Sequence, residues 1–158
     1  TSCDDCSSGK TSFPSMGALD CVPCGTGRFA ATRIGASECT ACSSGKYQNN
    51  TGETTCLSCY SPENSQAGAN DCDICIQGYY REGGVCHSCM DNADCPGKEL
   101  ATIKLDPGYW RPNEDSNVVL LCTESGFCQG GLQNESSFCT PNSFGPYCSI
   151  CEEGYWKQ

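Results

Sequence analysis

The spacing of the cysteines constrains the fold of this chain more than any other feature of its sequence. The chain has 18 cysteines in 158 residues, and twelve of them form six consecutive Cys-x-x-Cys pairs. The loops between pairs contain 14, 14, 13, 12 and 10 residues, and so regular a period indicates tandem repeats. The pairs are Cys3 and Cys6, Cys21 and Cys24, Cys39 and Cys42, Cys56 and Cys59, Cys72 and Cys75, and Cys86 and Cys89.

Glycines and aromatic residues keep the same period. Recurring glycines mark positions with positive φ or close chain approach, so each repeat is predicted to make two tight turns around a short, irregular hairpin. A first glycine stands three residues after a pair, a second stands four residues before the next pair, and an aromatic residue follows the first glycine by two. These are Gly9, Gly27, Gly45 and Gly78, then Gly17, Gly35, Gly52 and Gly68, and the aromatic residues Phe29, Tyr47 and Tyr80.

Few large apolar residues are available for a core. Leu, Ile, Val and Phe together make 21 of the 158 residues, which is too few for hydrophobic burial to be the main source of stability. Cysteine makes about 11 % of the chain, a proportion typical of cross-linked scaffolds. Covalent or metal cross-links are therefore expected to hold the fold together.

Cys-x-x-Cys pairs can bind zinc, carry out redox chemistry or form structural disulfides. Two Cys-x-x-Cys knuckles can hold one tetrahedral zinc ion, whereas a single pair at a helix N-terminus is typical of redox sites. Six successive pairs would crowd several metal ions together, and the one histidine, His87, lies inside a pair. We therefore expect disulfides, with no metal and no cofactor. The predicted fold is small and disulfide-rich: an elongated array of short β-hairpin and irregular loop repeats with little helix and a minimal hydrophobic core.

Neither catalysis nor nucleic-acid binding is predicted. His87 has no recognisable serine or cysteine nucleophile motif beside it, so the chain is not expected to be an enzyme. A net charge of −10 repels phosphate backbones and anionic membrane surfaces. The longest apolar run, Val118 to Cys122, is far shorter than the roughly 20 residues that a membrane helix needs. No direct membrane insertion by this segment and no signal peptide are expected, so a secreted chain would be a mature protein or a fragment.

The compartment is predicted from cysteine density together with two Asn-x-Ser/Thr sequons. Asn49 and Asn134 are candidate N-glycosylation sites, and N-linked glycans are expected there. Disulfides persist in oxidising environments. The expected location is therefore extracellular or at the cell surface.

The period ends after residue 89, where a domain boundary is predicted. Residues 90–138 are an irregular cysteine-rich segment, in which Leu100 to Leu105 and Val118 to Leu121 are predicted to form two strands of a small sheet. Asp91 to Asp94 could offer oxygens to calcium, but the segment lacks the calcium-binding EGF pattern and is expected to be a solvated acidic turn.

The unit Cys-x-x-Cys-x-x-Gly-x-aromatic…Gly-x-x-x-Cys over residues 1–89 resembles the ephrin-receptor-like cysteine-rich repeats. Those repeats are themselves similar to the first submodule of tumour-necrosis-factor receptor repeats. In these relatives the second cysteine of one pair bonds the first cysteine of the next. The resemblance implies the disulfides Cys6–Cys21, Cys24–Cys39, Cys42–Cys56, Cys59–Cys72 and Cys75–Cys86.

Residues 139–158 resemble the closing half of a laminin-type EGF-like module, Cys-x8-Cys-x-x-Cys-x-x-Gly-aromatic. This pattern is filled by Cys139, Cys148, Cys151, Gly154 and Tyr155. The resemblance implies a Cys139–Cys148 disulfide, with Cys151 bonded to a later cysteine outside this chain. Cys3 would likewise bond a cysteine before residue 1. The pairing of Cys89, Cys95, Cys122 and Cys128 is left open, one arrangement being Cys89–Cys95 with Cys122–Cys128.

Three aromatic pairs are candidate interaction residues. Each follows a glycine and could either present flat faces to a sugar or a protein subunit, or cover a disulfide. The pairs are Tyr79 and Tyr80, Tyr109 and Trp110, and Tyr155 and Trp156.

Two classes of function remain open. Tandem disulfide loops suit an extracellular structural or adhesive protein, a rod that self-associates or belongs to a longer chain of like modules in a filament or cell-surface assembly. The alternative is the ligand-binding ectodomain of a cell-surface receptor. The first is preferred because the sequence contains no obvious ligand-sized apolar patch and the repeats shorten along the chain.

Overall fold

A computed structural model describes residues 5–12, 20–31, 36–132 and 138–156 of the chain. Within these ranges there are seventeen short β-strands and three single-turn 3-10 helices, and no α-helix is present. None of the described helical turns is long and apolar enough to cross a membrane. The predicted small disulfide-rich fold, with little helix and few buried residues, is confirmed.

The strands pair almost entirely as two-stranded antiparallel hairpins. The strands are β1 (Lys10–Ser12), β2 (Cys21–Pro23), β3 (Arg28–Phe29), β4 (Thr40–Ala41), β5 (Lys46–Tyr47), β6 (Leu57–Ser58), β7 (Glu63–Asn64), β8 (Ile74–Cys75), β9 (Tyr79–Glu82), β10 (Val85–Ser88), β11 (Ala93–Asp94), β12 (Pro96–Glu99), β13 (Lys104–Leu105), β14 (Tyr109–Trp110), β15 (Leu120–Leu121), β16 (Ser143–Phe144) and β17 (Ile150–Cys151). The 3-10 helices are Leu100–Thr102, Ser125–Phe127 and Pro146–Cys148. One sheet has three strands in the order β10-β9-β12, with β12 parallel to β9.

Eight disulfides join sixteen of the described cysteines. They are Cys6–Cys21, Cys24–Cys39, Cys42–Cys56, Cys59–Cys72, Cys75–Cys86, Cys89–Cys95, Cys122–Cys128 and Cys139–Cys148. The first five and the last are the pairs that the two family resemblances imply. Cys151 is half-buried and forms no disulfide in this structure, and Cys3 lies outside the described residues.

The chain divides into two compact units, Thr1–Ile74 and Cys75–Gln158. In the first unit, hairpins β1–β2, β3–β4 and β5–β6 have one common register. The residue after the first glycine pairs with the residue before the second cysteine, as Arg28 pairs with Ala41. The N–H of that cysteine donates to the glycine carbonyl, as Cys24 donates to Gly9. Each repeat is thus the same small hairpin.

Successive repeats of the first unit are joined through the backbone. The first glycine of one repeat donates its N–H to a carbonyl of the next repeat, which lies 20 or 21 residues later. These bonds are Gly9 to Ala30, Gly27 to Gln48 and Gly45 to Ser65, with N···O distances of 3.3, 2.7 and 3.1 Å. The carbonyls belong to the small or polar buried residues Ala30, Gln48 and Ser65. Backbone hydrogen bonds therefore connect the repeats where a larger protein would use apolar packing.

The predicted roles of the glycines are confirmed where the structure describes them. Gly27 has a φ of +74°, and a Cβ built there would lie 2.0 Å from the carbonyl oxygen of Gly68. Only glycine allows both this left-handed conformation and this close approach of two repeats. Gly17 and Gly35 lie outside the described residues.

The second unit contains two related hairpins that the sequence analysis did not connect. Gly78 begins the segment Gly-Tyr-Tyr-Arg and Gly108 begins Gly-Tyr-Trp-Arg. Each glycine donates its N–H to the last cysteine of the following Cys-x5-Cys segment, Gly78 to Cys95 at 2.9 Å and Gly108 to Cys128 at 2.7 Å. Within the second unit, the hairpin segment built on Gly108 is thus a second copy of the segment built on Gly78.

The second copy lacks one disulfide. The sequence positions equivalent to the bonded Cys75 and Cys86 are occupied by Leu105 and Val119. Leu105 is 4 % exposed and Val119 packs on the cluster that contains it, together with Leu100, Ile103 and Phe138. A modest apolar cluster therefore occupies the place of a covalent bridge.

The structure differs from the predicted sheet of Leu100 to Leu105 with Val118 to Leu121. Leu100–Thr102 is a 3-10 helix, β13 pairs with β11, and β15 pairs with β14. The apolar side chains Leu100, Ile103 and Leu105 are all buried in the cluster. Their apolar character therefore reflects burial in a core, and β13 and β15 belong to different sheets.

Candidate interaction surfaces

The two cysteines of a described pair are bonded in opposite directions along the chain. Cys21 is bonded to Cys6 behind it and Cys24 to Cys39 ahead of it, so the two thiols of one Cys-x-x-Cys pair face different loops. In the part of the chain that the structure describes, no three His, Cys, Asp or Glu side chains form a metal-binding group. His87 stacks on Tyr80, with 5.4 Å between the ring centroids.

Two equivalent grooves lie between successive repeats of the first unit. Their volumes are similar, at about 560 and about 520 Å³. The first groove is lined by Thr11, Val22, Pro23, Arg28, Ser37, Glu38 and Cys39. The second is lined by Phe29, Thr40, Ala41, Ser43, Lys46, Thr55 and Cys56. Six lining positions of the two grooves are the same positions of the repeat.

Charged residues recur at two positions of the repeat, and three of them, Arg28, Glu38 and Lys46, line the grooves. The cation row, defined as Lys10, Arg28 and Lys46, occupies the position after the first glycine in three successive repeats. The anion row, defined as Asp20, Glu38 and Asp71, occupies the position before the first cysteine of a pair, where Thr55 interrupts it. All six charged side chains are exposed.

Less polar residues recur at another position of the repeat, and two of them, Val22 and Thr40, line the grooves. Val22, Thr40 and Leu57 each follow the first cysteine of a pair. Val22 and Leu57 are both 45 % exposed, although they are among the larger apolar side chains of the unit. The sequence analysis missed both charge rows, although alignment of the repeats at the first glycine reveals Lys10, Arg28 and Lys46 directly.

The predicted aromatic pairs have different environments. Tyr80 is buried beside Cys95, and Trp110 is half-buried against the Cys122, Cys128 and Cys139 cluster. Trp110 also packs on Tyr147, with ring centroids 5.1 Å apart. Tyr79 and Tyr109 are half-buried. By contrast, Tyr155 and Trp156 are 57 % and 75 % exposed, so this pair alone offers large free aromatic surfaces.

Arg111 is a buried cation that sequence reasoning did not single out. Its side chain has no solvent exposure, and Nη1 donates to the Leu100 carbonyl at 2.9 Å. Nε and Nη2 have no hydrogen-bond partner, and the guanidinium lies 5.6 Å from the centre of the Phe138 ring. Burial lowers the pKa of Arg111 below its ordinary value, while the charges of Glu114 and Asp115 oppose that shift. The shared Gly-Tyr-aromatic-Arg motif was the available signal, since Nη1 of Arg81 is also buried without a partner.

The two sequons differ in what the structure describes. Asn49 is exposed and lies two residues after strand β5. Asn134 lies outside the described residues.

Comparison with known proteins identifies one region. A family model described as tyrosine-protein kinase ephrin type A/B receptor-like matches residues 27–64, which contain hairpins β3–β4 and β5–β6. No curated protein and no solved structure has significant similarity to the chain. The chain therefore contains an ephrin-receptor-like cysteine-rich region. Such disulfide-rich modules are typical of extracellular domains and are typically non-catalytic.

Proposed function

We propose that this chain is an extracellular structural or adhesive segment, in which stacked disulfide hairpins form part of a longer filament or cell-surface assembly. The observation that carries the proposal is the repeated backbone bond from the first glycine of one repeat to the next repeat, at Gly9, Gly27 and Gly45. Repeats that bond mainly to their neighbours make a stiff array, whose length is set by the number of repeats.

The wider family assignment belongs to the same proposal. We infer that residues 1–89 are tandem ephrin-receptor-like repeats and that residues 139–158 are part of a laminin-type EGF-like module. The common hairpin register of the first three repeats supports the tandem arrangement. The Cys139–Cys148 disulfide supports the laminin-type module. The family model itself matches residues 27–64.

The competing function is a receptor ectodomain that binds a protein ligand. The family match at residues 27–64 favours it, because the matching family is receptor-like. The two grooves between repeats offer places for a ligand to dock. This function predicts a monomer that captures one specific partner.

Electron microscopy of native material, with surface labelling of intact cells, tests the proposal. Regular polymers or a layered surface coat that contains the chain would support the structural function. Monodisperse molecules that capture one partner protein would overturn it in favour of the receptor. Detection of the chain only in the reducing interior of the cell would contradict both.

A second experiment tests the predicted glycan at Asn49. Secretion from a eukaryotic host is expected to add a glycan at exposed Asn49, which peptide N-glycosidase removes. Asn49→Gln is expected to abolish that mass difference, and Asn50→Gln, which keeps the sequon, is the matched control. An unglycosylated Asn49 in secreted protein would contradict the prediction.

A further inference from the structure

We propose that the second groove of the first unit, the one lined by Lys46, binds an acidic sugar, meaning one sugar residue that carries a carboxylate or a sulfate. The groove is lined by residues of hairpins β3–β4 and β5–β6, which supply a cation, three hydroxyl side chains and two apolar side chains. These are Lys46, then Thr40, Ser43 and Thr55, and then Phe29 and Ala41. This inference goes beyond the proposed structural function and does not depend on it.

Phe29 and Ala41 give the groove an apolar side. Phe29 is half-buried and pairs with Thr40 across the hairpin, so the aromatic and the hydroxyl side chain lie on the same face of the two strands. A sugar ring has a face of C–H groups that can pack on an apolar side chain while its hydroxyls bond to polar groups at the rim. Apolar lining with a few polar groups in fixed places is the usual composition of a small-ligand site.

Backbone bonds hold the polar side of the groove in position. The N–H of Lys46 donates to the Ser43 carbonyl at 3.0 Å, so one tight turn carries both the cation and a hydroxyl. The buried side chain of Gln48 donates from Nε2 to the Thr55 carbonyl at 2.7 Å. The Lys46, Ser43 and Thr55 side chains are exposed, and no described residue bonds to the Lys46 ammonium. A ligand can therefore reach a cation and two hydroxyls on a rim that is already formed.

The first groove shows what distinguishes the second. At the position of Lys46 it has Arg28, whose Nη1 already donates to the Cys39 carbonyl at 3.1 Å. At the position of Thr55 it has Glu38, so a carboxylate lines the same groove as the cation. Among the described residues that line the second groove, none carries a carboxylate. An anion is therefore attracted to the second groove, whereas Glu38 opposes its entry into the first.

The size and charge of the groove define the class of ligand. Its volume of about 520 Å³ suits a ligand of one or two rings. Lys46 is the one cation among the described lining residues, so it matches a single negative charge. A long polyanion would be repelled by the net charge of −10. The three hydroxyls can both donate to and accept from sugar hydroxyls, so one acidic sugar residue on an otherwise neutral glycan fits best.

Titrations followed by amide NMR spectra test this site with matched ligands at low ionic strength. Glucuronate is glucose with a carboxylate at C6, and glucose 6-sulfate carries a sulfate there. The acidic sugars are expected to bind with a dissociation constant on the order of 1 mM, and glucose about fivefold more weakly. Amide shifts are expected at Ala41 and Lys46, and not at Val22 of the first groove. The tighter of the two acidic sugars identifies whether the preferred charge is a carboxylate or a sulfate.

The full chain is used with Asn49→Gln and Asn134→Gln, so that no glycan of its own competes. Lys46→Gln is expected to bind glucuronate as weakly as glucose and to leave the affinity for glucose unchanged, because it removes only the charge. Thr55→Glu places a carboxylate where the first groove has one, and is expected to weaken glucuronate binding in the same way.

Lys10→Gln is the matched control. It removes the same charge at the equivalent position of the preceding repeat, from an exposed residue that lines neither groove. This variant is expected to bind glucuronate like the parent protein. Intact masses of non-reduced protein verify that each variant keeps its disulfides.

Four results would overturn the proposal. The first two are equal affinities of the parent protein for glucuronate and glucose, and acetate that shifts the same amides as strongly as glucuronate. The others are an equal loss of binding in Lys10→Gln and Lys46→Gln, and a phosphoserine peptide that binds the groove more tightly than either acidic sugar. Because the titration uses dissolved protein, its failure leaves the proposed structural function standing, and native material without assemblies leaves the sugar site standing.

Discussion

Single glycines determine how closely two repeats approach, and Gly27 and Gly45 allow this to be measured. They occupy the same repeat position with φ near +75°, but only Gly27 faces a neighbouring backbone oxygen, that of Gly68. Gly27→Ala is expected to cost about 3 kcal/mol of unfolding free energy or more, because strain and overlap both act. Gly45→Ala should cost about 1–2 kcal/mol, from conformation alone.

Gly25→Ala is the matched control for these variants. Gly25 has no positive φ and its added Cβ would meet nothing within 4 Å, so a change below about 0.5 kcal/mol is expected. Denaturant unfolding of the oxidised proteins gives the three values. Equal losses for Gly27→Ala and Gly45→Ala would show that the repeats do not approach as closely as described.

Arg111 gives the second prediction at this scale. Two of its nitrogens are buried without partners, and burial lowers its pKa, so the charged form opposes folding at every pH below its folded-state pKa. Arg111→Met removes that charge while filling the space. It is expected to lower the unfolding free energy by less than about 1 kcal/mol, or to raise it.

Arg111→Ala is the contrasting variant. It leaves a cavity under Phe138, so a loss of roughly 2–4 kcal/mol is expected. Denaturant midpoints at neutral pH compare the two. If Arg111→Met is as damaging as Arg111→Ala, the guanidinium makes stabilising bonds beyond the one to Leu100.

At the scale of elements, one hairpin design occurs in both units with different cross-links. The first glycines were predictable because glycine is the residue that suits a left-handed turn. The hairpin built on Gly108 was not recognised, because Leu105 and Val119 replace the cysteines that set the period. Which apolar pair can replace a disulfide depends on packing, and spacing alone does not reveal packing.

This substitution can be transferred to the first copy. Cys75→Leu with Cys86→Val is expected to lose the roughly 3 kcal/mol that closure of this loop contributes, and to regain part of it by apolar burial. Cys75→Ser with Cys86→Ser loses the same cross-link and regains nothing. The Leu and Val variant should therefore be more stable by roughly 2 kcal/mol in denaturant unfolding. Equal stabilities would mean that the two copies pack differently.

At the scale of the whole molecule, stability depends on cross-links and backbone hydrogen bonds. Sixteen described cysteines are in disulfides, and the buried apolar clusters of the described residues are small. A strong reductant is expected to abolish amide protection throughout the chain in hydrogen exchange, whereas a chelator should leave protection unchanged. Loss of protection with the chelator and its persistence with the reductant would show that metal holds the fold.

The sequence by itself determined the class of fold, because the cysteine period and the shortage of apolar residues leave few ways to stabilise a chain. It also determined the turns of the repeats, since Gly9, Gly27, Gly45 and Gly78 recur at one left-handed position. It did not reveal the left-handed residues that are not glycine, which are Asn92, Asn142, Tyr147 and Cys148. Tertiary structure decided that Arg111 is buried, that Leu105 and Val119 replace a disulfide, and that Val22, Arg28 and Glu38 share one groove. These features depend on which surfaces meet when residues distant in sequence pack together. Repeat alignment and shared motifs mark the positions, but the burial and the contacts follow only from that packing.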